Sequence, residues 1–164
     1  MHRYHCLFAG LMLCFTGQVV SGQSQFPKAE IKLTRAVVKD DETFSVVTVV
    51  RNPGSTEQSL IVWDCSYQDQ WTSDNPAVRV DDVACMQNVP EKIKLKPGNS
   101  YRRSLSVHVH LTSSQIDRKE VTFRLGYGPH AYSAGQNAEP KTPLFWSNAV
   151  TVTVTPEVKA TEKN

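Results

Sequence analysis

The strongest constraint on this chain is a two-residue period. In YRRSLSVHVHL, residues 101–111, the side chains of Leu105, Val107, Val109 and Leu111 fall on one side of an extended strand, and Ser104, Ser106, His108 and His110 fall on the other. EVTFRLGY repeats the pattern with Val121, Phe123, Leu125 and Tyr127, and NAVTVTVT repeats it with Val150, Val152 and Val154. Less regular stretches rich in β-branched residues lie at 31–38, 43–51, 59–65, 77–80 and 92–95. Turn chemistry separates them: KDDE at 39–42, NPGS at 52–55, SDNP at 73–76 and KPGN at 96–99. No stretch of ten residues carries a helical stripe. Seven or eight short strands with short connections must bury their apolar sides on each other, which predicts an all-β antiparallel sandwich over residues 29–155.

The ends of the chain set its compartment. A short basic start (MHR), an apolar run (LFAGLMLCFTG) and small residues before Gln23 read as a secretory signal peptide over 1–22. The apolar run is too short to span a bilayer, so no integral membrane segment is expected once the signal is removed. Cys14 follows Leu13 rather than a small residue, which argues against lipid attachment. Residues 23–28 read as a lead-in and 156–164 as a polar, disordered tail. The protein is expected to be secreted or periplasmic.

Signal removal leaves Cys65 and Cys85 as the remaining cysteines, and in an oxidising compartment such a pair is expected to be bonded. A zinc site would need more ligands at short spacing, and a catalytic thiol would need a nearby base; 60–90 contains no histidine. Lys and Arg number 18 against 16 Asp and Glu, with no basic stripe, so nucleic acid is not an expected partner. No serine-nucleophile elbow, zinc-protease helix or phosphate loop is present. The adjacent aspartates Asp40–Asp41 and Asp81–Asp82 project in opposite directions and read as turn residues. A non-enzymatic protein without a cofactor is expected.

The succession VVTVVRNPGS, a tryptophan-bearing strand, LKPGNSYRRSLSV and SNAVTVTV resembles immunoglobulin-like modules of exported bacterial proteins, including adhesion-associated and proteinase-inhibitor-like families. The resemblance implies an immunoglobulin-like β-sandwich but no activity. LKPGNSY is also similar to a fibronectin-type corner with Tyr101 as its tyrosine, a placement that leaves one strand too many.

Three regions are candidates for function. The connection 126–146 is long and aperiodic and holds Tyr127, His130, Tyr132, Phe145 and Trp146, aromatics suited to a protein or glycan partner or to closing the core. The connection from Ser66 to Ala84, with Tyr67 and Trp71, is expected to be held by the disulfide and to serve the fold. His108 and His110, at i and i+2 on one strand face, are the candidate metal ligands; without a carboxylate partner they read as surface residues, and no metal is expected. The preferred function is an exported binding or accessory module acting through 126–146. The alternatives are a proteinase-inhibitor-like protein, disfavoured by the glycines at 126, 128 and 135, and a metal-binding module using His108 and His110.

Overall fold

The computed structural model describes residues 27–112, 119–128 and 143–156. The signal segment, most of the lead-in and the tail beyond Pro156 lie outside the described residues. Among those described, the structure is all-β with one 3-10 turn, Tyr67–Gln70. Among the described residues, no helix is long and apolar enough to cross a membrane.

One layer has the order β1-β3-β8-β6, all antiparallel, from β1 (Lys28–Leu33), β3 (Glu42–Arg51), β8 (Ser100–Val109) and β6 (Val78–Val80). The long β3 and β8 run side by side from Glu42 opposite Val109 to Arg51 opposite Ser100. The other side is built from two three-stranded groups. β2 (Val37–Lys39), β12 (Val150–Thr155) and β9 (Glu120–Phe123) form one; β11 (Phe145–Trp146), β10 (Leu125–Tyr127) and β5 (Trp71–Ser73) form the other. A separate ribbon pairs β4 (Gln58–Trp63) with β7 (Pro90–Leu95).

Sequence alternation maps onto this sandwich directly. Phe44, Val46, Leu105, Val107 and Val109 from the first layer pack in one core with Val121, Phe123, Leu125, Val152 and Val154 from the second. Each buried aliphatic or aromatic side chain contributes about 1.5–3 kcal/mol by leaving water. The architecture is an immunoglobulin-like β-sandwich.

Among the described residues there are twelve strand segments where the sequence suggests seven or eight. Two predicted strands are split, 31–38 into β1 and β2 and 120–127 into β9 and β10, and β5 and β11 are added in predicted connections. The strand read over 120–127 breaks at Arg124, whose backbone N–H donates to Asp74 Oδ1 (2.7 Å) instead of to a neighbouring strand. Residues 147–149 separate β12 from β11, which lies inside the aromatic connection of the sequence reading; here Ser147 donates its backbone N–H to the Leu125 carbonyl (2.9 Å) and its Oγ accepts from the Leu125 N–H (3.0 Å). Neighbouring Asn148 then covers the open edge of β1: its Oδ1 accepts from the Ile31 N–H (2.8 Å), and its Nδ2 donates to the Ile31 carbonyl (3.3 Å). The amide thereby takes the backbone groups that a strand from another chain would need at Ile31. The pairing of β2 with β12 is parallel, an exception to the expected antiparallel pattern.

NPGS and KPGN meet at one end. Asn52 donates its N–H to the Asn99 carbonyl (3.0 Å) and accepts from the Gly98 N–H (2.9 Å). Its buried side chain donates to the Thr56 and Leu95 carbonyls and accepts from Gly54. Gly98 takes φ of 77°, a left-handed conformation that glycine adopts without steric penalty. Tyr101 is not a corner tyrosine, since its hydroxyl accepts from Arg103 Nε (2.6 Å) rather than bonding to backbone.

Cys65 and Cys85 are bonded, with Cα atoms 6.0 Å apart. They lie just beyond the paired ends of β4 and β7, at Trp63 and Pro90. The bond therefore closes the excursion that carries the 3-10 turn, β5 and β6. In the loop-entropy account a closure of this length contributes about 3 kcal/mol.

Candidate functional site

The aromatic connection is shorter than its sequence suggests, because both ends are strand. Gly126 and Tyr127 pair with Trp146 and Phe145 in β11, and with Thr72 and Trp71 in β5. Tyr127 is buried (3% exposed), stacked on Phe145 at 5.1 Å and set edge-on to Trp71 at 5.4 Å. Its hydroxyl donates to the Ile61 carbonyl and accepts from Gln70 Nε2 (3.0 Å). Burial pushes that hydroxyl's pKa up to about 12, against the opposing hydrogen bond from Gln70.

Gln70 completes the arrangement. Its Nε2 also donates to the Ile61 carbonyl (2.8 Å) while its Oε1 accepts from the Trp63 N–H (3.1 Å), so a buried amide side chain pairs with β4 as a strand would. Trp146 is half-buried and lies under the Arg124 guanidinium, 5.3 Å from its ring centroid. That guanidinium is also bound to Asp74 (2.8 Å). Burial raises the Asp74 pKa, but the Arg124 N–H and guanidinium outweigh it and hold the carboxyl below its usual range.

The structure thus brings Tyr127, Phe145 and Trp146 together at the base of the connection, where Tyr127 and Phe145 close the core. His130 and Tyr132 lie outside the described residues. Gly126 is a packing requirement rather than a hinge: a Cβ there would sit 2.6 Å from Pro143 Cγ and 2.9 Å from the Trp146 ring.

The second arrangement lies on the outer side of the β1-β3-β8-β6 layer, at its β2–β3 end. His108 is half-buried and His110 exposed, as alternation requires, while Val107 and Val109 between and beside them are fully buried. The expectation that the histidines lack a carboxylate partner is overturned. Asp41, in the turn between β2 and β3, sets Oδ1 2.9 Å from His108 Nε2 and 3.3 Å from His110 Nδ1. The register explains the meeting: Glu42 is opposite Val109, so the residue just before β3 lies beside the end of β8 that carries both rings.

Several contacts hold this geometry. Asp40 Oδ1 accepts from the Leu111 N–H (2.8 Å), and Asp40 donates its own N–H to the Thr155 carbonyl (2.8 Å), so the turn is tied to both layers. Glu42 accepts from the Lys39 N–H (2.7 Å) across the turn. Asp41 itself has φ of 60°, in the left-handed region that aspartate tolerates better than most residues. On the far side of His108, Thr43 Oγ1 is 3.3 Å from Nδ1 and donates to Asp81 Oδ2 (3.4 Å). A recess of about 390 Å³ opens over the cluster, lined by Asp41, Pro76, Ala77, Arg79, His108, His110 and Thr112. Adjacent aspartates that sequence reasoning treats alike have different roles. The signal that separates them is the strand register, which places position 41 opposite the histidine end of β8.

No known protein family matches the sequence, and no curated protein is a significant match. Among solved structures, the chain is similar to native alpha-2-macroglobulin from Escherichia coli, in a crystal structure spanning domain MG7 to the C-terminus. The superposition has a TM-score of 0.44 at 10% identity and covers 81% of this chain. The chain spans 17% of that structure's length.

Proposed function

We propose that this chain is an exported, non-enzymatic immunoglobulin-like module that acts by binding a protein or glycan partner through the segment between Gly128 and Pro143. The carrying observation is the construction of the segment's base. β10 and β11 pair across it, the Tyr127 and Phe145 rings stack across it, and Gly128 donates its N–H to the Gln70 carbonyl (2.9 Å). Both points from which residues 129–142 depart are fixed to the sandwich independently of those residues. A connection between two already paired strands needs only a few residues, so its length has no structural requirement behind it. Export is supported by the signal-like start and by the Cys65–Cys85 bond.

The test replaces 129–142 with a short glycine-containing turn and, separately, installs a photo-crosslinking amino acid at Tyr132. A melting temperature unchanged by the excision, with crosslinked adducts formed from position 132 but not from exposed Lys92, supports the reading. Equal crosslinking from Lys92, or none from position 132, overturns it.

A further inference from the structure

We propose that Asp41, His108 and His110 form a binding site for one divalent transition-metal ion of the zinc class, independent of the 129–142 segment. Donor type, separation and support all point the same way. Two imidazole nitrogens and one carboxylate oxygen are the mixed set that such ions take in preference to calcium or magnesium, which favour all-oxygen cages. The three ligand atoms lie within 4.8 Å of one another. With metal–ligand bonds of about 2.0–2.1 Å, neighbouring ligands stand about 3.3 Å apart in a tetrahedral set and about 2.9 Å apart in an octahedral one. The separations from the Asp41 oxygen to the two ring nitrogens, 3.3 and 2.9 Å, fall at those values. One ion in the notch between the rings therefore reaches all three with small side-chain rotations.

The surroundings fit a metal ligand set as well. Thr43 donates its hydroxyl proton to Asp81, which leaves the Thr43 oxygen free to accept from His108 Nδ1–H. Without an ion, His108 Nε2–H donates to Asp41 Oδ1 (2.9 Å); an ion at Nε2 displaces that proton, and Thr43 then holds the tautomer with hydrogen on Nδ1, the support that metal-binding histidines commonly receive from a second group. Nothing in the packing requires Asp41 to be aspartate. Its side chain is 62% exposed, and its left-handed backbone would suit glycine at least as well. Three protein ligands leave at least one coordination position open, facing the recess. Arg79 lines the same recess, and a cation there opposes metal uptake.

Zinc chloride titrated calorimetrically into untagged protein, in a non-chelating buffer, tests the site. The expected result is saturable one-to-one uptake. His110→Ala and Asp41→Gly each abolish it, Thr43→Val weakens it by about 10–100-fold, and Arg79→Gln tightens it. Cobalt(II) supplies a second readout: its visible d–d absorption should appear on the parent protein and be lost in His108→Ala. Circular dichroism of His110→Ala, whose ring is exposed, should be unchanged and so separates loss of a ligand from loss of fold. Absence of saturable zinc uptake overturns the proposal. Uptake of equal affinity in His110→Ala and Asp41→Gly also overturns it, because the ion is then held elsewhere.

Discussion

The two ends of the molecule that carry its polar and aromatic clusters are opposites in design. At the base of the aromatic connection the central polar atoms are consumed by the fold: the Tyr127 hydroxyl and the Gln70 amide satisfy β4 backbone groups on the edge away from β7. At the β2–β3 turn, the side chains of the exposed Asp41 and His110 and the half-buried His108 make their polar contacts with side chains rather than with backbone, and converge on one point. Aromatic richness in a long connection therefore marks a structural plug here. Two histidines on a solvent face mark a chemical constellation. Buried polar atoms with a full set of partners explain themselves, whereas exposed donors brought together by register call for another reason.

The largest expected effect falls at the aromatic end. Tyr127→Ala removes a buried ring and leaves the Gln70 amide and the Ile61 carbonyl one partner short, and should cost about 3–5 kcal/mol in urea unfolding. Tyr127→Phe keeps the ring and should cost about 1 kcal/mol. If alanine cost as little as phenylalanine, the ring would not be a plug and the contrast between the two ends would fail.

A pH experiment sharpens the same point. The Tyr127 hydroxyl has an ordinary value of 10.0, raised by burial to about 12. Its neutral form is favoured by folding, so the contribution is fully present below pH 10 and is lost as pH rises from 10 toward 12. The parent protein should thus lose more stability between pH 9 and pH 11.5 than Tyr127→Phe does. Identical losses would assign alkaline unfolding to another group.

Most of the sandwich was legible in the alternation of apolar side chains, because a half-buried strand cannot avoid displaying it. Leu105, Val107 and Val109 face the core and His108 faces out, as the period demands. The break at Arg124 was not legible, since its N–H leaves the ladder for Asp74, 50 residues away in sequence. Neither were β5 and β11, at two or three residues each, too short to show a period. Trp71 reads as a loop residue and proves to be core, because what buries it is Tyr127 from a distant strand. In the histidine cluster, sequence supplied the two imidazoles and missed the carboxylate for a similar reason. Asp41 and His108 are 67 residues apart, and only the pairing of Glu42 with Val109 reveals that they are neighbours.

The smallest expected effects belong to the polar end, and their smallness is the point. His110→Ala removes an exposed ring from the end of β8 and should change stability by less than about 0.5 kcal/mol. Asp41→Gly exchanges a left-handed aspartate for the residue that conformation prefers, against the greater backbone freedom of glycine in the unfolded chain; these terms oppose each other at about 0.5–1 kcal/mol apiece and nearly cancel. Asp40→Ala, one position earlier, is different: it leaves the Leu111 N–H without its acceptor and should cost about 1–2 kcal/mol. Thermal melts of the three variants under one set of conditions check the order. Should Asp41→Gly prove the costliest, the carboxylate would be a brace for β8 and the convergence of Asp41 with the histidines would have a structural cause. With Asp40 costly and Asp41 nearly silent, adjacent aspartates divide between holding the turn and facing the imidazoles, and stability alone gives no reason for the second.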